Sequence, residues 1–156
     1  MKAATVREIK YGLQEKSDVE LIDICLRLSK FKKENKELLT YLLFESSDEA
    51  QFVSSVKEDI SEDFEQINNR NYYWMKKTCR KVLRQVKKYI RYSGIKTTEI
   101  ELLIHFCREL GQLRPSIHQN VVLQNMYNQQ LKAINKAVSS LHEDLQFDYQ
   151  EEISKL

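Results

Sequence analysis

Residues 70–92 read RNYYWMKKTCRKVLRQVKKYIRY, and this stretch decides the fold class. It contains no glycine or proline, and its apolar residues recur at spacings of three and four, the period of one helix face. At about 100° per residue, one side carries the following residues: Met75, Cys79, Val82, Leu83, Val86, Tyr89 and Ile90. The stretch therefore predicts a long amphipathic helix. Residues 47–67 predict another before it, with an inward face of Phe52, Val53, Val56, Ile60, Phe64 and Ile67.

Composition extends this prediction to the whole chain. The 156 residues include three glycines and one proline, where ordinary usage would give roughly eleven and eight. So few turn-forming residues argue against sandwiches, barrels and propellers, and they argue equally against Gly-rich phosphate loops. We predict an all-α fold of about seven antiparallel helices, at 4–15, 18–30, 34–45, 47–67, 71–92, 98–110 and 116–144, with a helical tail to 154.

Several helix ends carry local signals. Four segments match the capping box, in which a hydroxyl and an acid or amide three residues later satisfy the first backbone N–H groups. They begin at Ser17, Ser46, Thr98 and Ser116. Gly94 and Gly111 stand where left-handed C-terminal caps are expected. Short connections between these ends predict that successive helices are neighbours.

The domain organisation expected from this pattern is one helical domain over 1–156. Two architectures fit it, an irregular bundle and a short array of helical hairpins similar to HEAT repeats. Residues 19–22 and 100–103 open two helices alike, but the hairpins would start near 18, 47 and 98, which is an irregular period. The C-terminal helix and tail, 127–156, are a candidate partner-docking or dimerising segment.

The net charge of +2 conceals a strong segregation of charge. Residues 45–69 contain eight acids and one base, whereas 70–92 contain nine bases and no acid. On the predicted basic helix, the cations face away from the apolar side. The candidate binding stripe consists of Lys77, Arg80, Arg84, Lys87, Lys88 and Arg91, with Tyr73, Trp74 and Tyr92 among or beside them.

Three interpretations of this stripe stay open. It is a solvated face partly neutralised by the acidic helix, the usual meaning of helical charge runs. Alternatively, it binds nucleic acid, with cations on phosphates and aromatics on bases. The third interpretation is an acidic protein partner, or self-association in which an acidic stripe meets a basic one. The aromatics near Trp74 are either the edge of the core or a binding hot spot.

A second candidate surface follows the long C-terminal helix. Its apolar residues repeat at spacings of four and three, as in the a/d seam of a coiled coil. The candidate self-association seam consists of Tyr127, Leu131, Ile134, Val138, Leu141 and Leu145. The alternative is a helix packed lengthwise on its own domain, because the pattern covers fewer heptads than a coiled coil normally needs.

The sequence offers little for catalysis. No metalloprotease, nucleophile-elbow, phosphate-loop or dinucleotide motif occurs, so we expect no catalytic residues, no cofactor and no metal site. Glu101 and His105 are four apart and close enough to interact on a helix. Cys25, Cys79 and Cys107 are expected to be core cysteines in a reducing, cytoplasmic protein without a targeting or membrane segment.

The function expected from these features is that of a non-enzymatic interaction or scaffold protein. It would self-associate through its charged or heptad faces, or take another protein as its partner. The alternative is a sequence-tolerant nucleic-acid-binding protein that uses the basic helix 70–92.

Overall fold

The computed structural model describes residues 1–156, and it confirms the predicted all-α fold, because it contains helices and no β-strand. There are eight α-helices, one more than the count of about seven. They are α1 (Val6–Gln14), α2 (Asp18–Phe31), α3 (Lys33–Thr40), α4 (Glu49–Glu65), α5 (Tyr72–Ser93), α6 (Lys96–Gln112), α7 (Val121–Val138) and α8 (Glu143–Ser154). A π-helical turn covers Tyr41–Glu45 and a 3₁₀ turn Ile117–Gln119. No helix combines the length and apolarity needed to cross a membrane.

The predicted continuous helix 116–144 is wrong, because the chain interrupts it twice. Asn120 caps α7 by accepting hydrogen bonds from the backbone of the first helical turn, at 3.2 and 3.3 Å. After α7, Ser139 and Ser140 donate their hydroxyls to carbonyls three residues earlier, at 2.8 and 2.6 Å. Such side-chain bonds compete with helix continuation. His142 then stands at the N-cap of α8.

The capping signals are only partly confirmed. Ser17 forms the predicted capping box with Glu20, and the backbone N–H of Glu20 donates to the Ser17 hydroxyl at 3.4 Å. The box predicted at Ser46 is wrong, because Asp48 caps α4 instead and accepts from the third backbone N–H of the turn at 3.0 Å. Ser116 caps only the 3₁₀ turn. Short-range spacing thus identifies the region of a helix start but not its capping residue.

Three further end signals near α6 have different outcomes. Gly94 does close α5 in the left-handed conformation, with φ of 67°. Thr98 is not a cap, because α6 already begins at Lys96 and Thr98 lies buried inside it. Its hydroxyl donates to Glu49 at 2.5 Å. Gly111 lies within α6 rather than after it.

The chain divides into two compact units, Met1–Phe44 and Glu45–Leu156. In the N-terminal unit, α2 packs against α3. Tyr41 is the one buried residue of this unit, and α1, α2 and α3 contain none. The single domain expected from the sequence stays a prediction.

The C-terminal unit is built around α6, which contacts α4, α5 and α7. Seven apolar residues of α6 are buried, together with the predicted inward face of α4 and with Met75, Cys79, Val82 and Val86 of α5. Leu83, Tyr89 and Ile90, predicted on the same side of α5, are only half-buried. Phe106 of α6 and Phe64 of α4 meet edge to face, with ring centroids 5.6 Å apart. A central helix surrounded by three neighbours gives this unit bundle-like packing.

Candidate functional site

Helix α5 is positioned by caps at both ends and by one buried face. Asn71 caps its start, accepting a hydrogen bond from the backbone of Trp74 at 3.1 Å. Tyr72 anchors the same end, donating its hydroxyl to the backbone carbonyl of Ser116 at 2.8 Å. The residues buried along the helix are Met75, Cys79, Val82 and Val86. These contacts fix which side of α5 meets solvent.

The solvent side of α5 carries a shallow depression of about 820 Å³, open to solvent, between the side chains of this one helix. Five of its lining residues are cations and none is an acid. The lining residues are Tyr73, Lys76, Lys77, Arg80, Leu83, Arg84 and Lys87. We call this feature the basic groove. Five of the nine residues in the predicted binding stripe line it.

The other stripe residues lie beside the basic groove or beyond it. Arg91 is exposed one turn after Lys87. Lys88 is half-buried, with its ammonium 5.1 Å from the ring centroid of Tyr89 and 6.0 Å from that of Tyr92. The stripe therefore has an open part, from Tyr73 to Lys87, and a second part in which Lys88 lies beside the rings of Tyr89 and Tyr92.

Two groove residues, Lys76 and Leu83, are absent from the predicted stripe. Leu83 repeats with the apolar face and was expected in the core, but it is half-exposed and lines the groove. Lys76 lies at the edge of the charged side. Helical periodicity assigns such residues to a face only approximately, because a residue at the boundary between the apolar and the charged face can belong to either.

The acids of α4 do not form ion pairs with the open part of the stripe. Lys77, Arg80, Arg84 and Lys87 have no carboxylate within ion-pair distance. The contact between α4 and α5 is lined by residues that include Asp59, Asp63, Gln85 and Tyr89. Gln85 and Tyr89 lie about 140° around α5 from Arg80 and Arg84. The side of α5 that meets the acids of α4 is therefore not the side that carries the basic groove.

Two aromatic side chains stand at the N-terminal end of the groove. Tyr73 is 64% exposed and Trp74 43% exposed, and their rings meet edge to face with centroids 5.1 Å apart. The ammonium of Lys77 lies 5.2 Å from the Trp74 ring centroid. An exposed indole and phenol beside cations can stack on a planar ligand and contact its charge at the same time.

The candidate self-association seam is largely occupied by the chain itself. Ile134 and Val138 are fully buried and Tyr127 is buried, whereas Leu131 and Leu141 are half-buried. These residues do not even share one helix, because α7 ends at Val138 and Leu145 belongs to α8. Leu145, at 41% exposure, is the seam residue most open to a partner.

A polar cavity of about 540 Å³ lies beside α4, α6 and α8. Its charged residues are largely paired within the chain. Lys57 meets Glu101 at 2.7 Å, Arg108 meets Glu152 at 3.5 Å, and Lys155 meets Glu151 at 3.1 Å. Glu101, which the sequence placed near His105, is therefore paired with Lys57. No cluster of three or more potential ligand residues that could hold a metal ion is present.

His105 belongs to a three-residue hydrogen-bond cluster that the sequence did not indicate. Its Nε2 lies 2.8 Å from the Ser61 hydroxyl, which also donates to Glu109 Oε1 at 3.0 Å. Ser61 has a single proton for these two neighbours. Ser61 comes from α4 and the other two residues from α6, 44 positions and more along the chain. Sequence spacing cannot reveal such a pair.

This cluster predicts a pH-dependent stability. Burial lowers the pKa of His105, and the nearby cations Lys57 and Arg108 lower it further, against the opposing effect of Glu109. Because the pKa in the folded state lies below the unfolded value, the unfolded chain binds more protons between these two pKa values. We therefore expect the free energy of unfolding to fall as the pH drops below about 6.5. Urea titrations at several pH values measure it.

The variant His105→Gln isolates this contribution. Glutamine keeps a hydrogen-bonding group near Ser61 but does not titrate, so the fall in stability over the same pH interval should be shallower than in the parent protein. Identical pH slopes for the two proteins would contradict the assignment to His105.

The three cysteines differ in their surroundings. Cys79 and Cys107 are fully buried, as expected, and burial raises the pKa of each thiol to about 12. The expectation of a core position is wrong for Cys25, which is exposed on α2. Helix α2 is apolar on more than one side, so its pattern does not show which side is buried.

No family model, curated protein or solved structure matches this chain. We therefore infer its function from the residues and geometry described above.

Proposed function

We propose that this protein is a non-enzymatic interaction protein whose binding surface is the basic groove of α5, and that the groove binds the phosphate backbone of a nucleic acid. The observation that carries the proposal is a groove lined by five cations and no acid. A surface that carries charges of one sign attracts a polyanion, and phosphate contacts supply most non-specific nucleic-acid affinity.

The spacing of the cations supports an extended anion. Lys77, Arg80, Arg84 and Lys87 follow one another at three or four residues, so each step advances about 5 Å along the helix at 1.5 Å per residue. Four cations in a line suit a repeating chain of phosphates better than a single anion. None of the four is committed to an ion pair that a ligand would have to break.

The exposed aromatics favour a single strand. Tyr73 and Trp74 stand at one end of the line of cations. Stacking of unpaired bases on aromatic rings contributes about 1–3 kcal/mol per base and is indifferent to sequence. The proposal is therefore a sequence-tolerant contact with single-stranded DNA or RNA. An acidic protein segment is the competing occupant, because it offers the charges but not the bases.

Binding of fluorescently labelled single-stranded and double-stranded DNA and RNA, followed by anisotropy over a series of salt concentrations, tests the proposal. Affinity for the single strands should fall with salt, with a log–log slope of about −3 if four to five phosphates are contacted. In Arg80→Gln/Arg84→Gln, two contacts are lost, so the slope should become shallower by about 1–2 and the affinity should drop.

Lys132→Gln/Lys136→Gln is the matched control. It removes two exposed cations at the same four-residue spacing from α7 and should change binding little. Absence of nucleic-acid binding at about 50 mM salt would overturn the proposal. Binding of poly-glutamate under those conditions would then identify an acidic protein as the partner. Equal losses in the two double variants would show that net charge, not the groove, governs binding.

A further inference from the structure

The N-terminal unit exposes an unusual amount of apolar side chain. Thirteen large apolar residues of α1, α2, α3 and the turn that follows are at least 36% exposed. Their summed exposed area, spread over three helices and a turn, is on the order of 1,000 Å², whereas the largest contiguous apolar patch on a typical monomer covers roughly 300–600 Å². About 800 Å² per partner suffices for a stable protein interface. The unit therefore exposes enough apolar surface for an interface with another molecule.

The most ordered part of this surface is a stripe on α2. Val19, Ile22 and Leu26 follow the spacing of three and four and are 70%, 58% and 48% exposed. Leu21 and Ile24, about half a turn away, are half-buried, and α2 packs against α3 within the unit. Helix α2 therefore has a second apolar side, and helices that are apolar on two sides are normally buried on both.

The charges of α2 point to its partner. Its first half carries Asp18 and Asp23, and its second half carries Arg27 and Lys30. All four are exposed, and none forms an ion pair within the chain. When two copies of α2 lie antiparallel, the acidic half of each faces the basic half of the other. A parallel pairing would instead place like charges together.

We infer that the α2 stripe joins this chain to a second copy, with the two α2 helices antiparallel about a two-fold axis near the middle of the helix. Such an isologous contact puts Ile22 of each copy beside Leu26 of the other. It also brings the two copies of Cys25 together, because Cys25 is next to the midpoint of Asp18–Phe31. This inference goes beyond the proposed anion binding, and neither depends on the other.

Cross-linking of the intact protein tests the geometry. Only Cys25 is exposed, since Cys79 and Cys107 are fully buried. A short bismaleimide should therefore give a covalent dimer in the parent protein and none in Cys25→Ser. In Asp18→Cys/Cys25→Ser, the two thiols of an antiparallel pair would be separated by about 20 Å along the axis, so no cross-link should form. Cross-linking at both positions would overturn the antiparallel arrangement.

Sedimentation of the parent and of Ile22→Glu/Leu26→Glu tests the association itself. The parent should be a dimer and the variant a monomer with unchanged helicity, because the two replaced side chains already face solvent within each chain. Asp23→Arg should weaken the dimer, and Asp23→Arg/Arg27→Asp should restore it, since the second change re-establishes the charge match between copies. A parent that stays monomeric at high micromolar concentration would overturn the inference, whether or not the groove binds nucleic acid.

Discussion

Ile134→Ala is expected to lower the free energy of unfolding by about 2–5 kcal/mol. Ile134 has no exposed surface, so truncation leaves a cavity in α7 where it packs against the rest of the C-terminal unit. Denaturation in urea, followed by far-UV circular dichroism, measures this loss. The oligomeric state in sedimentation should stay as it is in the parent protein.

Leu145→Ala is the control for this prediction, because it shortens an exposed residue of the same predicted seam. Its cost should be within about 1 kcal/mol. If Ile134→Ala changed the oligomeric state while leaving the stability of the unit intact, Ile134 would belong to an interface between copies rather than to the core.

Phe106→Ala is expected to have the largest effect on stability, about 3–5 kcal/mol. The side chain is fully buried in the central helix α6 and packs edge to face on Phe64. Its removal costs the apolar burial, the aromatic contact and the space that it fills, in a helix with neighbours on three sides. A large shift of the urea midpoint to lower concentration is the expected observation.

Phe147→Ala makes the same chemical change at a position that is 74% exposed, and it should alter stability by no more than about 0.5 kcal/mol. Similar losses for the two alanine variants would contradict the central role of α6. A double-mutant cycle with Phe64→Ala separates the ring–ring contact from the burial, with a coupling of about 0.5–1.5 kcal/mol expected.

The sequence predicts the helical class and the faces of α4 and α5 because both depend on local rules. Scarce glycine and proline exclude most turns, and the inward residues from Phe52 to Ile67 are buried as their spacing requires. Local rules fail where a side chain has a distant partner. Thr98 matches a helix cap in its own segment, but its hydroxyl bonds Glu49, 49 positions away along the chain.

The candidate site shows the same division. The cationic side of α5 follows from periodicity, and so does its separation from the core. Which residues of other helices lie beside this side does not follow from periodicity. Periodicity gives the angular positions of residues on one helix and says nothing of where the acids of the next helix lie. Similarly, Val19, Ile22 and Leu26 have the pattern of core residues, and only their exposure distinguishes a docking stripe from a buried one.

The position of Trp74 has a practical consequence. It is the single tryptophan of the chain, and its ring lies partly exposed beside Lys77 at the end of the basic groove. The tryptophan fluorescence of the protein therefore originates entirely at the surface where a ligand would stack, while the core around Phe106 contains no indole. The protein thus carries its own optical reporter of groove occupancy, and a titration needs no dye that would alter the charge of the surface.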